Sequence, residues 1–204
     1  MRFSSRVVFA DHVFDILENV YEPAEDSFLF AENLSVEHGC KVIDMGTGCG
    51  ILAIIAAKKT SNVVAVDVNP YAIKCAKNNA KTNGVGNRVS FIQGDLFAPL
   101  APRKEFDVIL FNAPYLPSEE NEKSSWIGWA WAGGISGRSV IDRFLCEAPK
   151  HVRSGGEIML MQSTLSNVEQ TLRNLEERGL EANVVAKQDF PFESIVLVRG
   201  VALS

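Results

Sequence analysis

The amino-acid sequence predicts an α/β fold in which helices cover both faces of a mainly parallel β-sheet. Two observations support this prediction. Beyond about residue 40, short apolar segments alternate with segments of helical periodicity, and the last two apolar segments lie only a few residues apart. Such alternation is typical of right-handed βαβ units, which build parallel sheets buried on both faces.

The predicted strands are residues 41–45, 62–68, 88–93, 106–112, 156–162, 181–188 and 193–200. The predicted helices lie between them, near residues 50–59, 70–82, 137–153 and 165–178. Residues 189–192 are too few to form a crossover helix, so the last two strands should pair antiparallel as a C-terminal hairpin. The expected sheet therefore has seven strands, the last of them reversed.

The first 40 residues follow a different pattern. Any helix begun around residues 14–19 should stop before Pro23, and a second helix can start near Glu25, where acidic residues favour a helix N-terminus. We expect residues 1–40 to be a helical segment covering the carboxyl ends of the strands. The prediction is one domain spanning residues 1–204.

Composition limits the class of protein. The chain has 204 residues, 47% hydrophobic and 22% charged, with a formal net charge of −5. This balance is typical of a globular protein, and the acidic charge argues against binding nucleic acid through a basic groove. The four cysteines form no C-x-x-C pair, and the N-terminus shows no signal-peptide pattern. We expect a cytoplasmic enzyme with reduced thiols and no metal site.

A glycine loop follows the first predicted strand of the main sheet. VIDMGTGCG places Asp44 at the strand end and Gly46, Gly48 and Gly50 in the turn, with G-x-G-x-G spacing instead of the G-x-G-x-x-G of a dinucleotide site. Glycines let the backbone turn tightly and let a ligand approach closely. The loop alone is weak evidence for a nucleotide site.

Polar side chains at the ends of the neighbouring strands strengthen the evidence for a nucleotide site. Asp67 can accept both hydroxyls of a ribose, and Asp95, beside the Leu96 backbone, can accept a bond from an adenine amine. Asn112 ends the next strand, and ligands of open parallel sheets bind beyond the carboxyl ends of strands. The alternative is that each Asp only caps a helix or turn. Carboxylates without Arg or Lys in the loop favour S-adenosylmethionine, a cation, over a diphosphate.

The segment Asn112-Ala113-Pro114-Tyr115 resembles the N-P-P-Y motif of methyltransferases that act on planar nitrogens. YEPAEDSFLF (21–30) and WAGGISGRSVIDRF (131–144) are more specific, and resemble blocks of the HemK-like class I methyltransferases, in the archaeal and eukaryotic branch that methylates release factors. The resemblance covers nearly the whole chain. It implies the Rossmann-like class I methyltransferase fold and an S-adenosylmethionine-dependent N-methyltransferase acting on the glutamine amide of the Gly-Gly-Gln loop of a class I peptide-chain release factor.

The resemblance also implies roles for single residues. Tyr21 and Ser27, with the Glu25-Asp26 turn, would approach the methionine part of the cofactor. The methionine and the ribose would be lined by Asp44, Gly46 and Gly48. Asp67 would bind the ribose, and Asp95 with Leu96 the adenine. The catalytic residues implied are Asn112, Ala113, Pro114 and Tyr115.

The chemistry of an amide explains the catalytic group. Its nitrogen is a poor nucleophile, and two acceptors, the Asn112 side chain and the carbonyl of residue 113, could fix both N–H groups and aim the nitrogen at the methyl. Tyr115 could pack against the planar substrate. Ala113 replaces the usual proline of the family, which keeps the carbonyl but loses a fixed φ, so we expect looser geometry. The motif read alone is also consistent with a simple strand-ending turn.

Residues 116–135 show no regular period, and a loop of this length is usually functional. Its tryptophans, Trp126, Trp129 and Trp131, are expected to shape a substrate groove, and Arg138 either anchors the loop or forms a structural salt bridge. The resemblance implies a small zinc-binding activator subunit that adds to the sheet edge near the strand ending at Asp67.

Two other functions stay open at this point. One is methylation of an amino group on RNA, DNA or a protein lysine, which shares the motif but which the acidic charge disfavours for nucleic acid. The other is a cofactor-binding but inactive scaffold subunit, against which the intact Asn112 and Tyr115 argue.

Overall fold

The computed structural model describes residues 2–119, 122 and 124–203. Its strands are β1 (Phe3–Phe9), β2 (His12–Leu17), β3 (Lys41–Met45), β4 (Asn62–Asp67), β5 (Val89–Gln93), β6 (Phe106–Asn112), β7 (Val152–Ser163), β8 (Leu180–Asp189) and β9 (Ser194–Ala202). Its helices are α1 (Glu25–Glu32), α2 (Ile51–Lys59), α3 (Pro70–Thr82), α4 (Trp126–Trp131), α5 (Ser139–Glu147) and α6 (Val168–Glu176), with short 3₁₀ turns at Ala148–Lys150 and Thr164–Ser166.

The main sheet confirms the predicted fold class. Its seven strands have the order β5-β4-β3-β6-β7-β9-β8. In the part of the sheet ordered β5-β4-β3-β6-β7, every pair of neighbouring strands is parallel. Strand β9 pairs antiparallel with both β7 and β8. The C-terminal hairpin therefore forms as expected, and β9 is the reversed strand.

Successive residues of β6 point to opposite faces of the sheet. Val108 and Leu110 belong to the core beneath α1, α2 and α3, whereas Ile109 and Phe111 belong to the core beneath α5 and α6. Both cores are built of buried aliphatic and aromatic side chains, which explains why the parallel strands are continuously apolar. This rigid sheet holds the loops at its carboxyl edge in fixed positions.

The helix expected around residues 14–19 is wrong. Residues His12–Leu17 form β2, which pairs antiparallel with β1 as a separate two-stranded hairpin. Phe14 and Ile16 are buried, whereas Val13 and Asp15 are only partly buried, which is the period of a half-buried strand. The second predicted helix is confirmed, since α1 begins at Glu25. The described part of this segment, residues 2–40, is thus a hairpin followed by a helix.

Two asparagines dock this hairpin onto the domain, Asn79 in the last turn of α3 and Asn83 directly after it. Asn79 Oδ1 accepts from the Asp15 backbone N–H at 2.9 Å, and Asn79 Nδ2 donates to the Asp15 carbonyl at 3.1 Å. Asn83 forms the same pair of bonds with Val13, at 3.2 and 2.8 Å. The two amides, four positions apart at the C-terminal end of α3, act as partners for the edge of β2.

The strand that ends at Asp67, β4, lies inside the sheet, between β3 and β5. Val63 and Val66 are accordingly buried, and the edge of the sheet on this side is β5. No helix in the described part of the chain has the length and hydropathy of a membrane span.

Candidate active site

All the residues that the sequence predicted for the site line one cavity at the carboxyl edge of the sheet. Its volume is about 510 Å³, within the size range of small-molecule sites. It lies between the N-terminal segment, the glycine loop and the loops that follow β4, β5 and β6. These lining residues are Tyr21, Ser27, Asp44, Gly46, Gly48, Asp67, Asp95, Leu96, Asn112, Ala113, Pro114 and Tyr115.

Two glycines of the loop, Gly46 and Gly50, stand where a side chain would be crowded. Gly46 and Gly50 have φ angles of 64° and 90°, in the left-handed region. A Cβ at Gly46 would lie 3.1 Å from the Phe111 ring, and one at Gly50 would lie 2.9 Å from the Ala76 Cβ. The glycines therefore let the loop fold tightly over β6 and α3 and leave its backbone facing the cavity.

Asp67 is held by two backbone N–H groups. Its Oδ2 accepts from Gly48 and its Oδ1 from Asn69, each at 2.9 Å. Burial raises the pKa of this carboxyl, and the backbone N–H bonds oppose the rise. Its orientation at the end of β4 is thus fixed before any ligand binds.

Asp44 is buried behind the glycine loop. The Thr47 hydroxyl, at 2.6 Å, and the Ala53 N–H, at 3.1 Å, both donate to its Oδ2. Desolvation by burial raises the pKa of Asp44 to about 7, against an ordinary value of 3.8, although both hydrogen bonds lower it. Asp44 therefore changes charge near neutral pH.

Asp95 is exposed and has a partner that the sequence did not predict. Arg143, on α5, donates to Asp95 Oδ2 at 2.6 Å, and both residues line the cavity. Leu96 has a φ of 47° and also lines the cavity. The cavity rim thus carries an arginine, which is paired with a carboxylate.

Asp26 is the centre of the hydrogen-bond network that joins the N-terminal segment to β6. Its Oδ1 accepts from the Ser27 N–H at 2.6 Å, and also from the hydroxyls of Ser27 and Tyr21 at 3.1 and 3.4 Å. Its Oδ2 accepts from Asn112 Nδ2 at 3.0 Å and from the Tyr115 hydroxyl at 3.2 Å. Asp26 therefore orients the residues of the predicted catalytic motif.

The amide of Asn112 is fixed at one end only. Its Nδ2 donates to Asp26 and, at 3.2 Å, to the Ser27 hydroxyl. Its Oδ1 is buried and accepts no hydrogen bond from the described residues. Because a buried unpaired acceptor costs about 1–3 kcal/mol, the site is built to receive a hydrogen-bond donor at this oxygen.

The hydroxyls of Tyr21 and Tyr115 stay protonated. Desolvation by burial, with the nearby Asp26 charge, raises the pKa of both phenols well above the ordinary value. The negative charge of Glu193 adds to the rise in the pKa of Tyr115.

Ala113 is buried, and its N–H donates to the Met161 carbonyl at 3.4 Å, which ties the motif to β7.

The predicted loop 116–135 contains a short helix, α4, that carries all three tryptophans. Trp126, Trp129 and Trp131 line the cavity, as expected for a groove, and Trp129 is 49% exposed. Residues 120, 121 and 123 of this loop lie outside the described residues.

Arg138 is buried and combines the two roles considered for it. It donates to the Ser166 and Asn167 carbonyls at 2.5 and 2.9 Å and pairs with Asp142 at 2.6 Å. It thus anchors the end of the loop to the turn after β7.

Comparison with known proteins identifies the family. The family model "Methyltransferase small domain" matches residues 21–129. A protein of Methanocaldococcus jannaschii, assigned by name as a protein N5-glutamine methyltransferase, is 42% identical over 89% of this chain and 91% of its own length. Methyltransferase HEMK2 of Mus musculus is 31% identical over 89% of both chains. The chain belongs to the HemK-like class I methyltransferases.

A solved structure shares the fold of this methyltransferase. The Mtq2–Trm112 complex of E. cuniculi, described as responsible for the methylation of the eRF1 translation termination factor, contains a chain with a TM-score of 0.69 and 24% identity. The match covers 90% of this methyltransferase and 99% of that chain. At this identity the likeness shows a shared fold, the seven-stranded α/β fold described above.

The cofactor of this methyltransferase is S-adenosylmethionine, which supplies an electrophilic methyl group when bound. The residues of the cavity fit it in three respects. The glycine loop leaves backbone free for close approach, Asp67 supplies a carboxylate of the kind that accepts hydroxyl groups, and the acidic lining suits a cation. The individual contacts of each lining residue with the cofactor stay predictions.

Proposed function

We propose that this methyltransferase acts on the side-chain amide nitrogen of a glutamine in the Gly-Gly-Gln loop of a class I peptide-chain release factor. The observation that carries the proposal is the buried Asn112 Oδ1, which lines the cavity and has no donor among the described residues. A primary amide brings two N–H groups. One would donate to Asn112 Oδ1 and the other to the carbonyl of Ala113.

This arrangement suits the weak nucleophilicity of an amide. Its lone pair is delocalised into the carbonyl, and two fixed acceptors on the N–H groups favour electron density on the nitrogen and set its direction of attack. Asp26 supports the acceptor role, because it binds Asn112 Nδ2 and leaves Oδ1 directed to the substrate. Tyr115 and the tryptophans of α4 would wall a planar group.

The names of the relatives support glutamine as the target. The Methanocaldococcus jannaschii protein is named for N5-glutamine methyl transfer, and the E. cuniculi complex is described as methylating a translation termination factor. The acidic net charge of −5 favours a protein substrate over nucleic acid.

The test is a methyl-transfer assay with labelled S-adenosylmethionine. Full-length release factor, the same factor with the target glutamine changed to alanine, and RNA or DNA are offered in parallel. We expect label on the glutamine only. Label on nucleic acid but never on the glutamine would refute the proposal, and cofactor binding without any transfer would indicate the inactive scaffold.

Asn112→Ala tests the role of the amide. It should abolish transfer while the dissociation constant of the cofactor, measured by calorimetry, changes little. Asn183→Ala, an exposed asparagine of β8, is the matched control and should keep the parent rate. Transfer by Asn112→Ala near the parent rate would contradict the two-acceptor arrangement.

We also propose that a small zinc-binding activator subunit pairs with the edge strand β5, next to β4. The complex containing Mtq2 includes a second protein, Trm112, which supports a partner of this kind. Co-purification of the chain with a candidate subunit, followed by the release-factor assay with and without it, tests this point. Equal rates in both arms and separate elution on gel filtration would exclude it.

A further inference from the structure

Three large apolar side chains are exposed along the carboxyl edge of the sheet beside the cavity. Phe192 is 96% exposed, Ile135 92% and Leu165 51%. Single exposed apolar residues are ordinary, whereas several on adjoining loops at one edge are typical of an interaction surface.

Hydrogen bonds join the loops that carry Phe192 and Leu165. The β8–β9 hairpin closes with the Phe190 N–H donating to the Glu193 carbonyl at 2.8 Å, which places Phe192 at its tip. The Ser163 hydroxyl donates to the Glu193 carboxylate, and the Ser194 N–H donates to the Thr164 hydroxyl at 3.0 Å. The hairpin tip is therefore fixed to the turn that contains Leu165.

The loop of Ile135 lies between this turn and the catalytic motif. A Cβ at Gly137 would lie 2.3 Å from the Tyr115 carbonyl oxygen and 3.1 Å from the Ser166 Cβ. Arg138 holds the same loop to the Ser166 carbonyl. Ile135, Leu165 and Phe192 thus stand on neighbouring fixed loops that lead to Tyr115.

The charge beside these side chains is negative. Glu193 is half-buried at the base of the hairpin tip, and its charge raises the pKa of the Tyr115 phenol. Within the described ranges, no Lys or Arg forms an ion pair with it. A cation from outside the chain would therefore complement this carboxylate.

We propose that Ile135, Leu165, Phe192 and Glu193 form a docking ridge for the substrate protein. The ridge takes a segment next to the methylated residue that presents apolar side chains to Ile135, Leu165 and Phe192, and a Lys or Arg to Glu193. The proposal rests on the proposed function, since it assigns the ridge to the release factor.

Steady-state kinetics on two substrates test the ridge. The folded release factor can reach the ridge, whereas a short peptide containing only the Gly-Gly-Gln sequence cannot. For Phe192→Ser we expect KM for the folded factor to rise about tenfold, as for an interface hot spot, with kcat, the peptide kinetics and cofactor affinity unchanged. Leu203→Ser, 56% exposed beyond the far end of β9, is the matched control and should leave every parameter unchanged.

The dependence of KM on ionic strength tests the role of the Glu193 charge. KM of the parent for the folded factor should rise with salt, and this dependence should weaken in Glu193→Gln, since exposed charge pairs are screened. Suppose that the parent methylates the release factor, that Phe192→Ser has the parent KM, and that Glu193→Gln has the parent salt dependence. This result would overturn the ridge and leave the proposed function standing. A parent unable to methylate the release factor would overturn the proposed function and, with it, the ridge.

Discussion

Asp26 controls the orientation of Asn112, the residue on which the proposed chemistry depends. The two are separated by 86 positions in the chain, yet Asp26 Oδ2 accepts from Asn112 Nδ2 at 3.0 Å. The sequence could predict Asn112 because it ends a strand in a recognisable motif. It could not predict the role of Asp26, because a first-turn carboxylate is also common as a helix-terminus charge, and only the tertiary fold brings α1 onto β6.

Replacing Asp26 by Asn should slow catalysis through Asn112. The variant keeps the shape but has an NH₂ in place of one acceptor oxygen, so it cannot accept all the bonds from Asn112, Tyr115 and Ser27. Misplacement of Asn112 should lower the single-turnover rate by about 10²-fold at saturating cofactor. Glu32→Gln, an exposed carboxyl at the end of the same helix, is the control and should match the parent; equal rates in Asp26→Asn would contradict the orienting role.

Asp44 makes stability depend on pH. Burial raises its pKa to about 7, so from about pH 4 to pH 7 the folded state keeps a proton that the unfolded state has lost. The free energy of unfolding therefore falls as pH rises through this window. Asp44→Asn removes the titration, while the single oxygen that accepts from both Thr47 and Ala53 can be replaced by the amide oxygen.

Urea denaturation of both proteins without cofactor, from pH 4.5 to 7.5, measures this effect. The stability of the Asn variant relative to the parent should increase steadily with pH. A difference that is constant across the window would mean that Asp44 titrates at its ordinary pKa in the folded protein.

At the scale of elements, the parallel strands and their helices could be predicted because burial on both faces gives long apolar runs. The N-terminal hairpin could not be predicted in this way. Its outer strand, β1, is largely exposed, and β2 is held to the domain by side-chain amides, not by a neighbouring strand of the main sheet. Asn79 and Asn83 look in sequence like ordinary polar positions of an amphipathic helix. Their pairing with the backbone of β2 depends on a contact between distant parts of the chain.

Asn79→Ala should therefore weaken the attachment of the hairpin. The substitution leaves the Asp15 N–H, the Asp15 carbonyl and the Cys49 carbonyl without their amide partner, at an expected cost of about 2–3 kcal/mol in unfolding free energy. Hydrogen exchange should show lost protection at the Asp15 amide. Asn78→Ala, exposed on the same helix, should change neither quantity. Retained protection at Asp15 in Asn79→Ala would show that packing alone holds β2.

At the scale of the whole molecule, the cavity lies where separate parts of the chain meet. The N-terminal segment contributes Tyr21 and Ser27, the glycine loop and β4 contribute Gly48 and Asp67, and β6 contributes Asn112. The sequence predicted this assembly because parallel strands present their carboxyl ends at one edge. It also predicted that the N-terminal segment covers that edge. The internal structure of that segment was only partly predictable.

A cofactor bound in this cavity should stabilise the hairpin and the sheet together. At a hundred times its dissociation constant, S-adenosylmethionine should raise the free energy of unfolding by about 2.7 kcal/mol, since it binds the folded state only. Hydrogen exchange should slow in β2 and α1 as well as in the glycine loop.

Asp67→Asn should reduce this gain in the free energy of unfolding at the same cofactor concentration, because it removes an acceptor at the predicted ribose site. Comparing increments cancels any change in the stability of the free variant. Asp189→Asn, an exposed residue of β8, should keep the full increment. Slowed exchange confined to the glycine loop would show that the N-terminal segment does not take part in binding, since a ligand bridging both parts must protect both.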